Sequence, residues 1–184
     1  MKKFKRVLSL LLISVFFLTG CKNLEDTNSD SIKNENKYNK EDEYISNTKE
    51  SKFNILSMDV NTSDTIVLGN IMVDESLALK DKLNLILDEV SRLKFDNAPI
   101  KCLKIENNIA YIDIKEDKNK NYWSSKFFQG STGASITSYT LVESLLQREY
   151  KGKWIDGIYF TYEGEKDVEF DHLDANFFGH IIKR

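Results

Sequence analysis

The stretch LALKDKLNLILDEVSRL, residues 77–93, places one strongly periodic segment between two pairs of extended-looking runs. Its apolar residues fall at i, i+4, i+7, i+8, i+11 and i+14, the spacing of one face of an α-helix. They are Leu79, Leu83, Ile86, Leu87, Val90 and Leu93. Charged residues occupy the opposite face. The pattern predicts a helix that packs against a sheet, with Asp74 or Ser76 capping its first turn.

Strand-like segments lie on both sides of this helix. FNILSMDV (53–60) and TIVLGNIMV (65–73) precede it, separated by turn-forming residues. KCLKIENNIAYIDI (101–114) follows it and contains Asn107-Asn108, a pair that tolerates the positive φ of a tight hairpin. DGIYFTYEG (156–164) predicts a further strand. The tail from residue 168 is apolar enough to pack back onto the domain.

A second helix is predicted from about Ser131 to Tyr150, and it begins inside FFQGSTGASITSY, residues 127–139. The residues expected to face inward are Ile136, Tyr139, Val142, Leu145 and Leu146, with Leu141 as a further candidate. The glycine spacing matches neither a P-loop, nor a dinucleotide fingerprint, nor a nucleophile elbow. Helix initiation is favoured, with Gly130 turning the chain and Ser131 or Thr132 as the cap. The alternative is an anion site at the helix N-terminus.

The order of elements predicts one folded domain of the α+β class over residues 52–184. Two strands, a helix, a hairpin, a helix and a strand follow one another. Such an order builds a compact sandwich of helices on a sheet.

The N-terminus predicts export and a lipid anchor. Residues 1–20 combine a basic start, a twelve-residue apolar run and small residues before Cys21, so they read as a signal peptide. The sequence LTGC resembles the lipobox of bacterial lipoproteins, which implies a diacylglyceryl group on Cys21 and a position on the outer face of the cytoplasmic membrane. Residues 21–51 are polar and aperiodic, and they predict a flexible tether.

Charge and cysteine content limit the partners. Without the four cations of the leader, 22 basic residues face 29 acidic ones, a net charge near −7. A protein of this charge has no general attraction for nucleic acid, so none is expected as a partner. Cys102 is the remaining thiol once Cys21 is acylated, which excludes an internal disulfide, and it is expected to behave as a small buried hydrophobe.

No catalytic arrangement emerges from the titratable residues. The two histidines are His172 and His180, and the acids beside His172 do not have the spacing of a metal site. A carboxylate pair of the glycosidase kind stays open, although nothing in the sequence selects one. The expectation is a protein without catalytic residues, cofactor or metal.

From about Ile105 onward, the chain resembles the GerMN domain of sporulation and germination lipoproteins. The resemblance rests on Ile112-Asp113-Ile114-Lys115, Gly130-Ser131, Ser144-Leu145, Gly164, and His172-Leu173-Asp174 with Phe177. It implies a ring-building-motif-like β-α-β-β-α-β order, in which two helices pack on one face of a small three-stranded sheet, plus an N-terminal strand. The chain departs from the family in having room for one such domain and in lacking a proline in its tail.

The resemblance also implies a task in assembly. It points to an envelope complex at the engulfment stage of sporulation, to germination, or to regulation of a sensor kinase. The expected partners are proteins, including further copies of the chain, and the bilayer through Cys21. Tyr122, Trp123, Phe127 and Phe128 are candidate contact residues, with a place in the core as the alternative. The alternative function is a peptidoglycan-binding or cell-wall-modifying subunit.

Overall fold

A computed structural model describes residues 49–117, 120 and 122–184. The predicted signal peptide, Cys21 and nearly all of the predicted tether lie outside these residues. The described residues belong to one compact unit. In chain order they form β1 (Glu50–Met58), β2 (Thr65–Asp74), α1 (Leu79–Lys94), β3 (Ile100–Glu106), β4 (Ile109–Ile114), a π-helical turn (Trp123–Phe127), α2 (Ser131–Leu146), β5 (Gly157–Tyr162) and β6 (Ile181–Lys183).

The mixed α+β class with two helices is confirmed, but the predicted sheet is wrong. β1 and β2 form an antiparallel two-stranded sheet of their own. The other sheet has four strands in the order β3-β4-β5-β6, so the described residues do not form the three-stranded sheet of the ring-building order. The short turn after β1 favours pairing of neighbouring strands, which keeps β2 with β1.

The four-stranded sheet combines local and distant pairings. β3 and β4 form a hairpin at Asn107 and Asn108, whose φ values of 51° and 59° confirm the predicted turn. β4 and β5 are parallel, and the connection between them runs through the π-helical turn and α2. The tail packs back as predicted, because Phe177 and Phe178 are buried and β6 pairs with β5.

α1 follows the predicted apolar face closely. Leu83, Ile86, Leu87 and Val90 are fully buried. The predicted cap is wrong, because the residue before α1 is Ala78 and no side chain caps the helix. The Asp74 carboxylate instead accepts a hydrogen bond from the Ser76 N–H, at 2.7 Å, and so closes the preceding turn.

α2 turns a partly polar face inward. Leu141, Leu145 and Leu146 are buried as predicted, whereas Ile136, Tyr139 and Val142 are only half-buried. Three hydroxyl residues are buried instead, namely Thr137, Thr140 and Ser144. The Thr137 hydroxyl donates to the Phe127 carbonyl at 2.7 Å, and that of Thr140 donates to the Ile136 carbonyl at 2.7 Å. Such bonds satisfy the hydroxyls and allow them to be buried.

A carboxylate fixes the start of the π-helical turn. Glu116 accepts hydrogen bonds from the N–H groups of Trp123 and Ser124, at 3.1 and 2.7 Å, and from the Tyr162 hydroxyl at 2.6 Å. Burial raises the pKa of Glu116, but these hydrogen bonds outweigh burial and the pKa is lowered overall. Burial, together with the bond to Glu116, raises the pKa of Tyr162. The turn therefore depends on an ionised glutamate.

Candidate interaction surface

The exposed apolar side chains gather on and around β2. The described residues include eight large apolar side chains that are exposed, and five of them fall between residues 60 and 77. They are Val60, Ile66, Val67, Met72 and Leu77. Val67 is 58% exposed and Met72 is 50% exposed. An exposed apolar strand of this kind is a candidate surface for binding another molecule.

The outer edges of the other three edge strands are capped by side chains. On β1, the Leu56 N–H donates to the Ser144 hydroxyl at 2.9 Å, and that hydroxyl donates to the Leu56 carbonyl at 3.1 Å. The Gln147 amide also donates to the Asn54 carbonyl, at 2.7 Å. The Asn54 carbonyl and both backbone groups of Leu56 on the outer edge of β1 are therefore bonded by Ser144 of α2 and by Gln147, which follows it.

β3 and β6 are capped in a similar way. The Asn84 side chain of α1 accepts from the Cys102 N–H at 2.9 Å and donates to the Cys102 carbonyl at 3.5 Å. On β6, the Arg148 guanidinium donates to the Lys183 carbonyl at 3.2 Å. Side chains at strand edges of this kind block pairing with another chain.

The outer edge of β2 has no such cap within the described residues. Opposite residues of an antiparallel pair direct their backbone groups the same way, either toward each other or away. Asn54 and Leu56 direct theirs toward α2, so their partners Asn70 and Val67 direct theirs away from β1. By the same alternation Met72 does so too. The N–H and C=O groups of these β2 residues therefore face outward, and no group in the described part of the chain bonds to them.

β2 lies in a segment that is acidic in sequence, and two cations from outside the segment come close to it: Lys52 of β1 lies opposite Met72, and the Lys82 ammonium donates to the Glu75 carbonyl at 2.7 Å. No Lys or Arg occurs between Lys52 and Lys80, whereas Asp59, Asp64, Asp74 and Glu75 do. Glu75 pairs with Lys49 at 2.9 Å. The other three acids make no ion pair in the described part of the chain. Hydrogen bonds from the N–H groups of Asn61 and Thr62 lower the pKa of Asp59, which keeps it charged.

Three of the four candidate contact residues belong to the core. Trp123 is fully buried, Phe128 is 1% exposed and Phe127 is 9% exposed. Their rings pack on one another, with Trp123 5.5 Å from Phe127 and 5.7 Å from Phe128 between centroids. Tyr122 is half-buried at their margin. Burial thus supports the alternative interpretation, in which these aromatic residues stabilise the domain.

The remaining titratable candidates are not brought together. His172 is exposed, and its Nδ1 lies 3.4 Å from the Ser131 hydroxyl. His180 is exposed, and its Nδ1 lies 3.1 Å from the Phe178 carbonyl. Among the described residues, no group of three His, Cys, Asp or Glu side chains is placed to hold a metal ion. No described helix is long and apolar enough to cross a membrane.

Two further sequence predictions concern single residues. Cys102 is buried as expected, and burial raises the pKa of its thiol to about 11. The side-chain cap predicted at Ser131 or Thr132 is wrong, because Gly130 occupies the N-cap position with φ of 68° and no side chain bonds to the first turn. A positive φ at this position favours glycine.

The outer face of the four-stranded sheet carries a second feature, in which two half-buried tyrosines lie between two exposed side chains. Tyr111 of β4 lies beside Tyr159 of β5, with ring centroids 5.2 Å apart. The Lys104 ammonium lies 4.6 Å from the Tyr111 ring centroid, and Ile181 pairs with Tyr159 from β6. These four residues form one row across the sheet, on the face opposite the helices.

Sequence reasoning missed β2 as a site. The strand was predicted, but which of its edges is covered depends on distant residues of α1 and α2. One local signal was available, namely the absence of Lys, Arg and Pro from a strand whose edge is free.

Comparison with known protein families, with curated proteins and with solved structures gave no match.

Proposed function

We propose that this protein is a membrane-anchored interaction module without catalytic activity, which binds other proteins of the bacterial envelope. The observation that carries the proposal is the open, uncharged and partly apolar edge of β2, in a fold that caps its other sheet edges. The lipobox at Cys21 and the polar segment before residue 52 support an anchored, tethered domain. The anchor would place the β2 edge on the outer face of the cytoplasmic membrane.

The biological setting we propose is a sporulation or germination complex of the kind formed by GerMN lipoproteins. Two contacts between positions of the resemblance support it. The Gly164 N–H donates to the Asp113 carboxylate at 2.9 Å, and Ser131 lies next to His172. Motif positions that are far apart in sequence therefore meet in pairs. Asp113 is buried and also accepts from the Thr161 hydroxyl at 2.7 Å, which is the role of a structural residue.

Deletion of the gene tests this setting. We expect fewer heat-resistant spores, or fewer colonies after addition of a germinant, with recovery on complementation by the wild-type chain. A deletion strain equal to the wild type in both counts would remove the sporulation and germination proposal. It would leave the question of protein binding to a separate measurement.

A second candidate function is binding of peptidoglycan glycan chains by the outer face of the four-stranded sheet. Tyr111 and Tyr159 favour it, because adjacent aromatic rings beside a cation offer an apolar surface with a polar margin. Co-sedimentation of the full chain with insoluble peptidoglycan tests it. Binding lost in a Tyr111→Ala/Tyr159→Ala variant but kept in Tyr122→Ala would support the glycan function. Absence of co-sedimentation would end it.

A further inference from the structure

We propose that β2 binds its partner by strand addition, and that the partner segment is extended, apolar at alternate positions and basic at its ends. The inference rests on the proposed interaction function and names the class of partner. An edge strand with free N–H and C=O groups binds an extended peptide through main-chain hydrogen bonds, while side-chain contacts set specificity.

The geometry of β2 defines where the partner pairs. The register shifts between Ile55 and Leu56, so β2 carries an extra residue near Leu68. Such a bulge interrupts regular pairing. After the bulge, β2 keeps a regular pairing register with β1 as far as Asp74. Within that segment, Asn70 and Met72 present outward backbone groups and side chains that are both exposed. A short strand of about five residues fits along it.

The acidic residues near β2 favour basic residues at the two ends of the partner strand. Asp59 and Asp64 lie at the turn before β2, and Asp74 closes it. Basic residues at the ends of an added strand would lie near Asp59, Asp64 and Asp74, which make no ion pair within the described residues, whereas acidic ends would be repelled. A second copy fits less well. Antiparallel pairing of two β2 strands would bring the acidic ends of one copy, at Asp64 and Asp74, near those of the other.

A backbone substitution separates strand addition from other modes of binding. Proline at position 70 removes an N–H that faces outward and leaves the β1–β2 ladder intact, and proline is accepted at such edge positions. Asn70→Ala keeps the N–H and serves as the matched control. Melting temperatures of both variants establish that they fold.

The probe is a synthetic peptide of about ten residues that alternates Val and Thr and carries Lys-Arg at each end. The full chain in neutral detergent is titrated with it, and hydrogen exchange is followed along the chain. We expect protection of the β2 amides, with wild-type-like binding by Asn70→Ala and at least roughly tenfold weaker binding by Asn70→Pro. A peptide with the same centre and Glu at each end should bind more weakly, and added salt should reduce the difference.

Several results would overturn the proposal. They are absence of binding by the basic-ended peptide, equal binding by Asn70→Pro, and protection outside β2. Equal binding of the acidic-ended peptide would overturn the charge preference. Sedimentation that shows a dimer lost in Asn70→Pro would make a second copy the occupant. Hydrolysis of an envelope substrate by the same preparation would instead contradict the proposed function, so the two failures can be told apart.

Discussion

Glu116 shows how one side chain sets a local structure and responds to pH. Its carboxylate holds two N–H groups of the π-helical turn and the Tyr162 hydroxyl. Hydrogen bonding to the charged form lowers its pKa below the ordinary value of 4.5. A lowered pKa contributes stability that is present above the unfolded-state pKa and is lost as pH falls through the folded-state pKa.

We predict that Glu116→Gln destabilises the protein at neutral pH, because an amide is a weaker acceptor than a carboxylate. The gap in melting temperature between wild type and variant should be largest above about pH 6 and should narrow as the pH falls below about 4. Thermal unfolding at both pH values measures it. The same gap at both values would show that ionisation of Glu116 contributes nothing to the fold.

Trp123 makes the second prediction at this scale. Its ring is fully buried against Phe95, Phe127 and Phe128, and its indole N–H donates to the Pro99 carbonyl at 3.2 Å. Truncation of a buried tryptophan costs about 3–5 kcal/mol in free energy of unfolding. We predict such a loss for Trp123→Ala in chemical denaturation, and a much smaller one for Tyr122→Ala. A stable Trp123→Ala variant that has lost its protein partner would instead identify a contact residue.

At the scale of elements, the contact between α2 and β1 explains why the outer edge of β1 is covered while that of β2 is open. The helix lies along a strand edge, so it presents hydroxyl and amide groups where a sheet face would require apolar ones. The Ser57 hydroxyl lies 2.8 Å from that of Thr140, and both are fully buried. Both helices also contact β2, but within the described residues none of their side chains bonds to the backbone at its outer edge.

A double-mutant cycle tests this buried pair. Thr140→Val leaves the Ser57 hydroxyl buried without its partner, which costs about 1–3 kcal/mol, whereas removal of both polar groups is nearly neutral. We therefore predict that Ser57→Ala/Thr140→Val is more stable than Thr140→Val alone in urea unfolding. A double variant that is less stable than either single variant would show that the hydroxyl pair is not the link between α2 and β1.

The same contact explains how far the sequence predicts the structure. The face of α1 was predictable because its apolar residues repeat with the helical period. The start of α2 at Ser131 was also predictable, but its inward face was not. Burial of Thr137, Thr140 and Ser144 follows from the bonding needs of a distant strand and a preceding turn. β6 has three residues and no period, so its pairing with β5 left no local signal.

At the scale of the whole molecule, the role proposed for the open edge of β2 depends on the proposed location of the domain at the membrane. Among the described residues, the uncapped sheet edge is that of β2, and an uncapped edge with exposed apolar residues is a liability in free solution. Under the proposed anchoring at Cys21, this edge would lie at the membrane surface, within reach of envelope proteins. The strand β2 could be predicted from local sequence, but its open edge could not. That edge stands out only because side chains from both helices cap the edges of other strands.

Lipidation of Cys21 gives a prediction at this scale. Two acyl chains suffice for stable membrane anchoring. We predict that the wild-type chain fractionates with membranes when expressed with its leader, and that Cys21→Ser abolishes the mass of the diacylglyceryl group. Cys102→Ser is the control and should keep the modification. A wild-type chain with an unmodified Cys21 would contradict the anchor.

Site-specific photo-crosslinking in living cells tests the central claim, that β2 is the surface by which this protein binds others. A photoreactive residue is placed at Met72, or at the exposed Lys101 on β3 as the control position. We predict one discrete adduct from position 72, in which the crosslinked partner segment is a strand with basic ends. This adduct should be absent when the photoreactive residue is at position 101, and it should be lost when Asn70→Pro is added to the position-72 variant. Identical adducts from both positions, or an adduct at 72 that persists with Asn70→Pro, would contradict the account.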